Sequence, residues 1–251
     1  EVRDEVVGRV ISTNTSPDIG FDRSINPYRG CEHGCIYCYA RPTHAWLGLS
    51  PGLDFETRLI ARPNAAAALT RELAARSYVP KLIAIGTNTD PYQPIERDRK
   101  IMRQLLCVLR DHAHPVGITT KGVMVERDAD ILTEMGPELC RVGLSVTTLD
   151  DALARRLEPR VPVPSRRLKA IERLANAGVQ VRVMVSPVIP GLTDHEVEAI
   201  LRAAADAGAV AASMIPLRLP LEVAPLFEEW LRAHVPDRAR KVLNRVREFH
   251  G

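Results

Sequence analysis

Three closely spaced cysteines are the residues of this sequence with the clearest capacity for chemistry. Cys31, Cys35 and Cys38 follow the pattern C-x-x-x-C-x-x-C within eight residues, so a tight loop would direct their thiolates to one point. Gly30 and Gly34 permit the backbone turns that such a loop needs. Thiolates select zinc, copper(I) or iron–sulfur clusters. Three thiolates leave one coordination position open, and on a four-iron cluster that position is a bare iron that a small molecule can chelate.

Two other interpretations of these cysteines are open at this point. Free cysteines can be buried as small hydrophobic residues, although the Tyr, Arg, Glu and His side chains around them disfavour an apolar loop. A structural zinc ion could instead bind the three cysteines and one histidine, either His33 or His44. The chain has five cysteines, an odd number, so disulfides cannot account for all of them. This cysteine usage fits a reducing cytoplasm, and we expect a cytoplasmic protein.

The cysteine motif, with Tyr37 directly before the third cysteine, resembles the signature of the radical S-adenosylmethionine (SAM) superfamily. The resemblance implies a 4Fe-4S cluster on the three cysteines, with the amine and carboxylate of SAM on the fourth iron. It implies that one electron from the reduced cluster cleaves SAM to a 5′-deoxyadenosyl radical, which abstracts hydrogen from a substrate. An electron donor such as flavodoxin or ferredoxin would then be a partner.

Length and composition fit a single α/β domain over residues 1–251. Aliphatic residues dominate and aromatic residues make up 4% of the chain, which favours helices packed on parallel strands. The net charge of +3 is weak evidence for a polyanionic partner. No apolar run approaches the roughly 20 residues of a membrane span, so we expect no membrane association.

Short apolar stretches alternate with helical patterns, which indicates a parallel sheet with right-handed crossovers. The predicted strands are 24–29, 81–86, 115–120, 141–147, 179–186 and 210–215. The predicted helices are 64–76, 97–111, 127–134, 164–177 and 193–207. Six βα units are too few for a closed eight-stranded barrel, so we predict a partial, open (β/α)6 barrel of the triosephosphate-isomerase type over 24–218. Residues 1–23 form a lead-in with a possible short strand at 8–12, and 219–251 form a peripheral helical extension.

Local signals predict two helix starts and one covering segment. Asn64 is a predicted helix cap, and Thr193 precedes Glu196 by three residues, as in a capping box. The turn-rich segment 41–63 is long for a loop in a compact domain, and such loops are usually functional or act as lids. We therefore expect this segment to cover the cysteine loop.

Polar residues follow the predicted strands at the end where parallel α/β barrels carry their chemistry. Thr87, Asn88 and Asp90 come after the second strand, and Asp90 is the best candidate for an anchor of a zwitterionic ligand. A helix-capping turn is the alternative interpretation of this stretch. Lys121 follows the third strand, so its ammonium group would point into the barrel mouth, where a carboxylate is its natural partner.

These segments together resemble a narrower group, the spore photoproduct lyase-like branch, whose members are often called DNA repair photolyases. The resemblance runs from about Ser24 to Arg218. It implies that Lys121 contacts the SAM carboxylate and that Ser145 contacts its methionyl or ribose part. The full set of cofactor-binding residues that it implies is Tyr37, Thr87, Asn88, Asp90, Lys121, Ser145, Val185 and Ser186, of which Tyr37, Val185 and Ser186 would border the adenosine.

The same resemblance implies a nucleic-acid base lesion as the substrate class. Arginines pair with phosphate in a bidentate way, and several lie near the predicted mouth. The candidates for substrate or phosphate contact are Arg160, Arg166, Arg167 and Arg218, with Arg155 and Arg156 nearby. The alternative functions are radical modification of a peptide or small metabolite, and a zinc-containing binding module without catalysis.

One departure from the group bears on the reaction. Lyases that repair the thymine dimer place a cysteine three positions before the Asp, and this sequence has Thr87 there. A threonine O–H bond is far too strong to be a comparable hydrogen donor. Cys107 and Cys140 are predicted core residues and do not fill the gap. The catalytic residue is therefore not assigned, and the candidates are Tyr39 and Thr87.

Overall fold

A seven-stranded sheet forms the centre of the computed structural model, which describes residues 1–17 and 19–250. The strands of this sheet are β2 (Ser12–Thr13), β3 (Arg23–Ile25), β6 (Ile83–Ile85), β7 (Val116–Thr120), β8 (Cys140–Ser145), β9 (Val181–Val188) and β10 (Ala211–Pro216). A smaller sheet contains β1 (Val2–Asp4), β4 (Tyr28–Arg29) and β5 (Leu59–Ala61). The helices are α1 (Leu53–Thr57), α2 (Ala65–Leu73), α3 (Glu96–Arg99), α4 (Ile101–Asp111), α5 (Ala129–Leu139), α6 (Asp151–Leu157), α7 (Pro164–Asn176), α8 (Val197–Asp206), α9 (Val223–His234) and α10 (Pro236–His250).

The strand order confirms the predicted partial barrel. Strands β3, β6, β7, β8, β9 and β10 are neighbours in chain order and all run parallel. The antiparallel strand β2 pairs with β3 at one edge, and β10 forms the other edge. Within the described residues these two edges do not pair with each other, so the barrel is open.

The two faces of the parallel strands carry different side chains. On β8, Val142 and Leu144 point outward into an aliphatic core that they share with the helices, and both are fully buried. Gly143 and Ser145 alternate with them and point to the inner, concave face. The inner face is crowded at Gly143, because a Cβ there would lie 2.7 Å from Met184 Sδ. Glycine at this position therefore leaves space for the Met184 side chain.

The predicted strand at 24–29 is wrong, because it is divided between the two sheets. Strand β3 ends at Ile25, and β4 pairs with β5 in antiparallel fashion. Pro27 lies between them and cannot donate to a strand ladder, so the chain leaves the large sheet at this point. The side chain of Asn26 stabilises the break by accepting a 3.0 Å hydrogen bond from the backbone N–H of Asn88.

Several helix boundaries also differ from those predicted. The predicted helix at 97–111 divides into α3 and α4 at Lys100, which has a left-handed φ of 51°. Helix α6 was not predicted; the Asp150 carboxylate caps it by accepting from Ala152 and Leu153 N–H at 2.8 and 3.0 Å. The covering segment 41–63 holds a 3-10 helix (Arg41–Leu47), α1 and β5 rather than an irregular loop. The predicted strand at 8–12 is β2, displaced toward Thr13.

Asn64 and Thr193 occupy N-cap positions, as predicted, but neither side chain makes the capping hydrogen bond, because each has another partner. The Asn64 side chain bonds the backbone of Val7, accepting from its N–H at 3.0 Å and donating to its carbonyl at 2.8 Å. Glu196 accepts from the Thr148 hydroxyl at 2.6 Å and so ties α8 to the loop after β8. The Thr193 hydroxyl accepts from the N–H of Ile189 at 3.0 Å.

The C-terminal segment is helical, as predicted, and consists mainly of α9 and α10. Phe227, Trp230 and Leu231 on α9 are buried. With residues of α6 and α10 they form a second apolar core, which also includes Cys35 and Tyr37. Among the described helices, none combines the length and hydrophobicity that crossing a bilayer would require.

Candidate functional site

The cysteine loop follows β4 and turns through two glycines with left-handed backbone. Gly30 and Gly34 have φ of 76° and 65°, a region that residues with a side chain rarely adopt. A Cβ on Gly30 would lie 2.8 Å from the Phe55 carbonyl oxygen, and one on Gly34 would overlap the Arg160 guanidinium. Both positions therefore require glycine, as the sequence indicated.

The three thiols share one dehydrated environment. Cys31 and Cys35 are buried, Cys38 is half-buried, and all three are free of disulfides. Burial raises the pKa of each thiol, and the neighbouring Asp90 carboxylate and the other two sulfurs raise the pKa of Cys31 further. Cys38 packs against both the cluster that contains Cys35 and the cluster that contains Cys31. Negative charge on the three sulfurs would need compensation by a cationic group.

The two histidines considered as zinc ligands have other partners. His33 Nδ1 lies 3.3 Å from an Asp90 carboxylate oxygen, and His44 Nε2 lies 2.9 Å from the Arg58 carbonyl oxygen. Over residues 1–17 and 19–250, no three His, Cys, Asp or Glu side chains group closely enough to hold a single metal ion. The structure thus gives the zinc interpretation no support. A four-iron cluster is larger than one ion, so the finding bears on zinc alone.

A buried arginine that sequence reasoning missed holds the cysteine loop in place. Arg41 is only 1% exposed and donates to the carbonyls of Gly34 and Cys35 at 3.1 and 3.0 Å. It also donates to both carbonyls of the turn 51–52 and to the Glu56 carboxylate at 2.6 Å. Arg41 therefore joins the cysteine loop to the covering segment 41–63. No sequence signal separates it from an ordinary surface arginine.

A buried charge network stands beside the cysteine loop at the barrel mouth. Lys121 Nζ lies 3.2 Å from Glu158 Oε1, which confirms that this lysine has a carboxylate partner at the mouth. Arg167 is fully buried and donates to the other Glu158 oxygen at 2.7 Å. Tyr37 and Thr147 donate their hydroxyls to Glu158 Oε1. Glu158 therefore connects the cysteine loop to the strand ends.

The positive charges in this network favour the ionised form of Glu158. Burial acts to raise the pKa of Glu158, but the charges of Arg167 and Lys121 outweigh it and lower the pKa to about 2. Lys121 also donates to Ser145 Oγ at 2.6 Å and to the Ser186 carbonyl at 3.0 Å. Its ammonium group is thereby fixed over the inner face of β8 and β9, next to the Tyr37 ring.

Asp90 binds the protein's own groups with both carboxylate oxygens. It accepts from the Thr120 hydroxyl at 2.5 Å and from the backbone N–H groups of Lys121 and Tyr92 at 2.7 and 2.9 Å. Burial acts to raise its pKa, yet the pKa is lowered, chiefly by His33. Asp90 thus ties the loop after β6 to the cysteine loop and to β7. Its contact with a SAM amine stays a prediction.

The two candidate catalytic residues touch each other at the rim. Tyr39 is 58% exposed, and its hydroxyl donates to the Thr87 carbonyl oxygen. The Thr87 side chain lies 3.5 Å from Asn26 Nδ2, and Asn88 bonds the same asparagine through its backbone. The structure therefore brings Tyr39, which directly follows Cys38 in the sequence, together with Thr87 and Asn88.

A family model described as the radical SAM superfamily matches residues 25–204. The chain belongs to the radical SAM superfamily. An uncharacterised protein of Mycobacterium tuberculosis is 37% identical over 234 residues, which are 92% of this chain and 67% of that protein. The chain thus spans about two thirds of this relative's length.

Solved radical SAM-type structures share the fold. A spore photoproduct lyase variant with bound AdoMet and dinucleoside spore photoproduct matches with a TM-score of 0.67 at 16% identity, over 91% of this chain and 65% of that chain. SuiB of Streptococcus suis bound to S-adenosylmethionine matches with a TM-score of 0.58 at 15% identity, over 86% and 47%. At these identities the likeness shows the fold, and it agrees with the open barrel described above.

Within this radical SAM barrel, strand β9 presents only one of its two predicted site residues to the concave face. Ser186 lies on the inner side, where its carbonyl accepts from Lys121 and its buried hydroxyl has no partner within 1–17 and 19–250. Val185 points the other way, into the aliphatic core, because side chains alternate along a strand. Its predicted contact with an adenosine is therefore not supported by its position.

Most of the arginines proposed for phosphate contact are occupied by internal partners. Arg167 is buried against Glu158, so the prediction that it meets phosphate is wrong. Arg166 pairs with Glu126 through two hydrogen bonds of 2.5 and 2.8 Å, and Arg160 binds the Glu56 carboxylate. Only Arg218 of the four is exposed without an ion pair among the described residues. The two remaining cysteines, Cys107 and Cys140, pack in or against the main core, as predicted.

Proposed function

We propose that this protein is a radical SAM enzyme in which Cys31, Cys35 and Cys38 hold a 4Fe-4S cluster. When bound, the cluster supplies the electron that cleaves SAM to a 5′-deoxyadenosyl radical. The observation that carries the proposal is the group of two buried thiols and one half-buried thiol beside a fixed lysine at the mouth of an open barrel. The donor set fits, because buried thiols of raised pKa lose their protons when a cationic metal group compensates their charge.

Lys121 is proposed to bind the carboxylate of SAM. Its ammonium group is held by Glu158, Ser145 and the Ser186 carbonyl, so it is oriented before any ligand arrives. The β8 residues on the concave face next to it, Gly143 and Ser145, are both small. Ser186 supports this placement, since its buried hydroxyl has no hydrogen-bond partner among the described residues and is available to a ligand.

The proposed substrate is a base lesion in DNA. This part rests on the likeness to a lyase whose structure holds a dinucleoside spore photoproduct, together with the sequence resemblance that runs from about Ser24 to Arg218. Thr87 replaces the cysteine of the thymine-dimer enzymes, so we propose a different lesion or a different hydrogen donor. Tyr39 is the proposed substrate contact, because its ring is exposed at the rim beside Cys38. An electron donor such as flavodoxin or ferredoxin is the proposed partner.

Anaerobic reconstitution with iron and sulfide tests the first part of the proposal. With dithionite and SAM, we expect brown protein and release of 5′-deoxyadenosine. Cys35→Ala should lose both the visible absorbance and the product. Cys140→Ala is the matched control, since it removes an equally buried thiol from the main core and should keep both. Product formation by the Cys35→Ala variant, or none by the wild type, would contradict the ligand assignment.

The substrate is tested separately on the reconstituted protein. Ultraviolet-irradiated oligodeoxynucleotide should increase the rate of 5′-deoxyadenosine release over that with the unirradiated strand, and Tyr39→Phe should reduce this increase. Equal rates with both strands would remove DNA lesions as the substrate class while leaving SAM cleavage intact. Peptide or metabolite modification would then be the remaining radical function.

A further inference from the structure

Helix α10 carries a surplus of positive charge. Helix α10 has 15 residues, with five Lys or Arg against two Asp or Glu, a net charge of +3. Helix α7 also has a net charge of +3, but three of its four cations pair with Glu126 or Glu158. The cations of α10 are exposed instead, which indicates an anionic partner.

The cations of α10 flank its buried stripe. The stripe consists of the small aliphatic residues Ala239, Val242 and Val246. Arg238, Lys241 and Arg245 have the spacing i, i+3, i+7, so they share one flank of the helix. They are all exposed, and they rise by about 4.5 and 6 Å along the helix axis from one to the next. A row of cations at this spacing suits successive phosphates of one strand.

This flank forms one wall of a cleft. The opposite wall is the turn after β9, and an open space of about 430 Å³ lies between them, lined by Gly191, Asp194, His195, Arg238, Lys241 and Arg245. Asp194 accepts from Arg245 Nη1 at 3.0 Å and fixes that guanidinium in place. Arg238 and Lys241 pair with no carboxylate in the described part of the chain. The cleft therefore keeps a positive charge after its one acid is counted.

The cleft lies on the same side of the fold as the candidate SAM site. The buried stripe of α10 belongs to the second apolar core, which also contains Cys35 and Tyr37. The turn at Gly191 leaves β9 five residues after Ser186, whose carbonyl accepts from Lys121. A polymer held in the cleft would thus run along the rim of the barrel mouth.

We propose that the cleft between α10 and the turn 191–195 binds the sugar–phosphate backbone of DNA and holds the strand at the barrel mouth. Its identity as DNA rests on the proposed function, whereas the anionic character of the partner rests on the exposed cations that line the cleft. A recess with one fixed guanidinium suits phosphate groups, which arginine binds in a planar, bidentate way, better than the broad surface of an acidic protein. Arg160, Arg166 and Arg167 pair instead with carboxylates of the protein itself.

Fluorescence anisotropy with a labelled single-stranded oligodeoxynucleotide tests the proposal on the reconstituted protein. The variant is Arg238→Gln/Lys241→Gln. The matched control is Arg71→Gln/Arg76→Gln, which removes two exposed cations that do not line the cleft. We expect the variant to bind about tenfold more weakly at moderate salt. The slope of log affinity against log salt should fall by about 1.4, since each single-strand phosphate contact contributes about 0.7. The control should remain within about twofold of the wild type.

The other outcomes of these measurements either support or overturn the proposed cleft. Wild-type binding that is absent, insensitive to salt, or weakened equally by the control variant would overturn the proposal. So would tighter binding to RNA of the same length, or to phosphatidylglycerol vesicles, with loss in the same variant. Release of 5′-deoxyadenosine without DNA should be unchanged in Arg238→Gln/Lys241→Gln. Failure of the radical chemistry therefore appears in that assay, and failure of the cleft appears in anisotropy.

Discussion

The outer and inner faces of the same strands differ in what they contribute. The outer face carries Val, Ile and Leu side chains that pack against the helices and are almost fully buried. The inner face carries small and polar residues, and at its mouth end it meets the Lys121–Glu158 network. Burial of each large aliphatic side chain stabilises the fold by about 1.5–3 kcal/mol. The inner face orients charged groups, and buried ion pairs add little net stability.

Residues that stabilise the fold therefore alternate along each strand with residues that face the candidate site. Leu144 and Ser145 are neighbours on β8 with opposite partners: Leu144 lies in the aliphatic core, and Ser145 accepts from Lys121. A substitution on the outer face should therefore change the free energy of unfolding. One on the inner face should change ligand binding. The exception is the charged network, where removing one partner leaves others buried and uncompensated.

The largest effect is expected for Glu158→Gln. It keeps the shape of the side chain but leaves the buried Arg167 and Lys121 without a compensating charge, and breaking such a network costs about 3–5 kcal/mol. Urea unfolding of the apo protein measures the loss. A loss of unfolding free energy below about 1 kcal/mol would mean that the protein tolerates the removal of this buried charge.

The same variant sharpens the comparison through pH. The pKa of folded Glu158 is about 2, below its ordinary 4.5, so its ionisation contributes stability that is present above pH 4.5 and lost as pH falls toward 2. The stability difference between wild type and Glu158→Gln should therefore be full near neutral pH and shrink below about pH 4.5. A difference that grows on acidification would contradict an ionised Glu158.

A pair of adjacent substitutions tests the two faces directly. Leu144→Ala should lower the free energy of unfolding by about 2–5 kcal/mol, because it opens a cavity in the core. Ser145→Ala should lower it by about 1 kcal/mol or less, yet weaken SAM binding to the reconstituted protein about fivefold by releasing Lys121. Calorimetry gives the second quantity. Equal stability losses, or unchanged SAM affinity in Ser145→Ala, would break the comparison.

The smallest effect is expected for Arg166→Gln. Arg166 is next to the buried Arg167 but faces outward and pairs with Glu126 where both side chains are partly exposed. Partly exposed ion pairs contribute about 1 kcal/mol or less. Unfolding should shift only slightly, and SAM binding should not change. A loss as large as that of Glu158→Gln would mean that this pair belongs to the mouth network.

The outer face was predictable from the sequence, and much of the inner face was not. Runs such as Val181–Val188 identify a buried parallel strand by composition, so the strand order and the open barrel followed. The cysteine motif and Lys121 were also found, because each follows a strand end. The break between β3 and β4 does have a local signal, Pro27, but the prediction of one strand over 24–29 did not use it.

Long-range partners explain the failures. Arg167 and Arg166 look alike in sequence, yet one is buried on Glu158 and the other pairs on the surface. Arg41 owes its role to carbonyls that only the folded loop assembles. Asn64 and Glu196 have the residue types of caps, but distant backbone and hydroxyl groups engage them instead.

The unpaired edges of the large sheet have a steric consequence. A sealed ring of strands can be approached only along its axis, so it admits small molecules or free chain ends. A ring with a gap can also be approached sideways. A long polymer can then be gripped at an interior position, without threading and without first being cut.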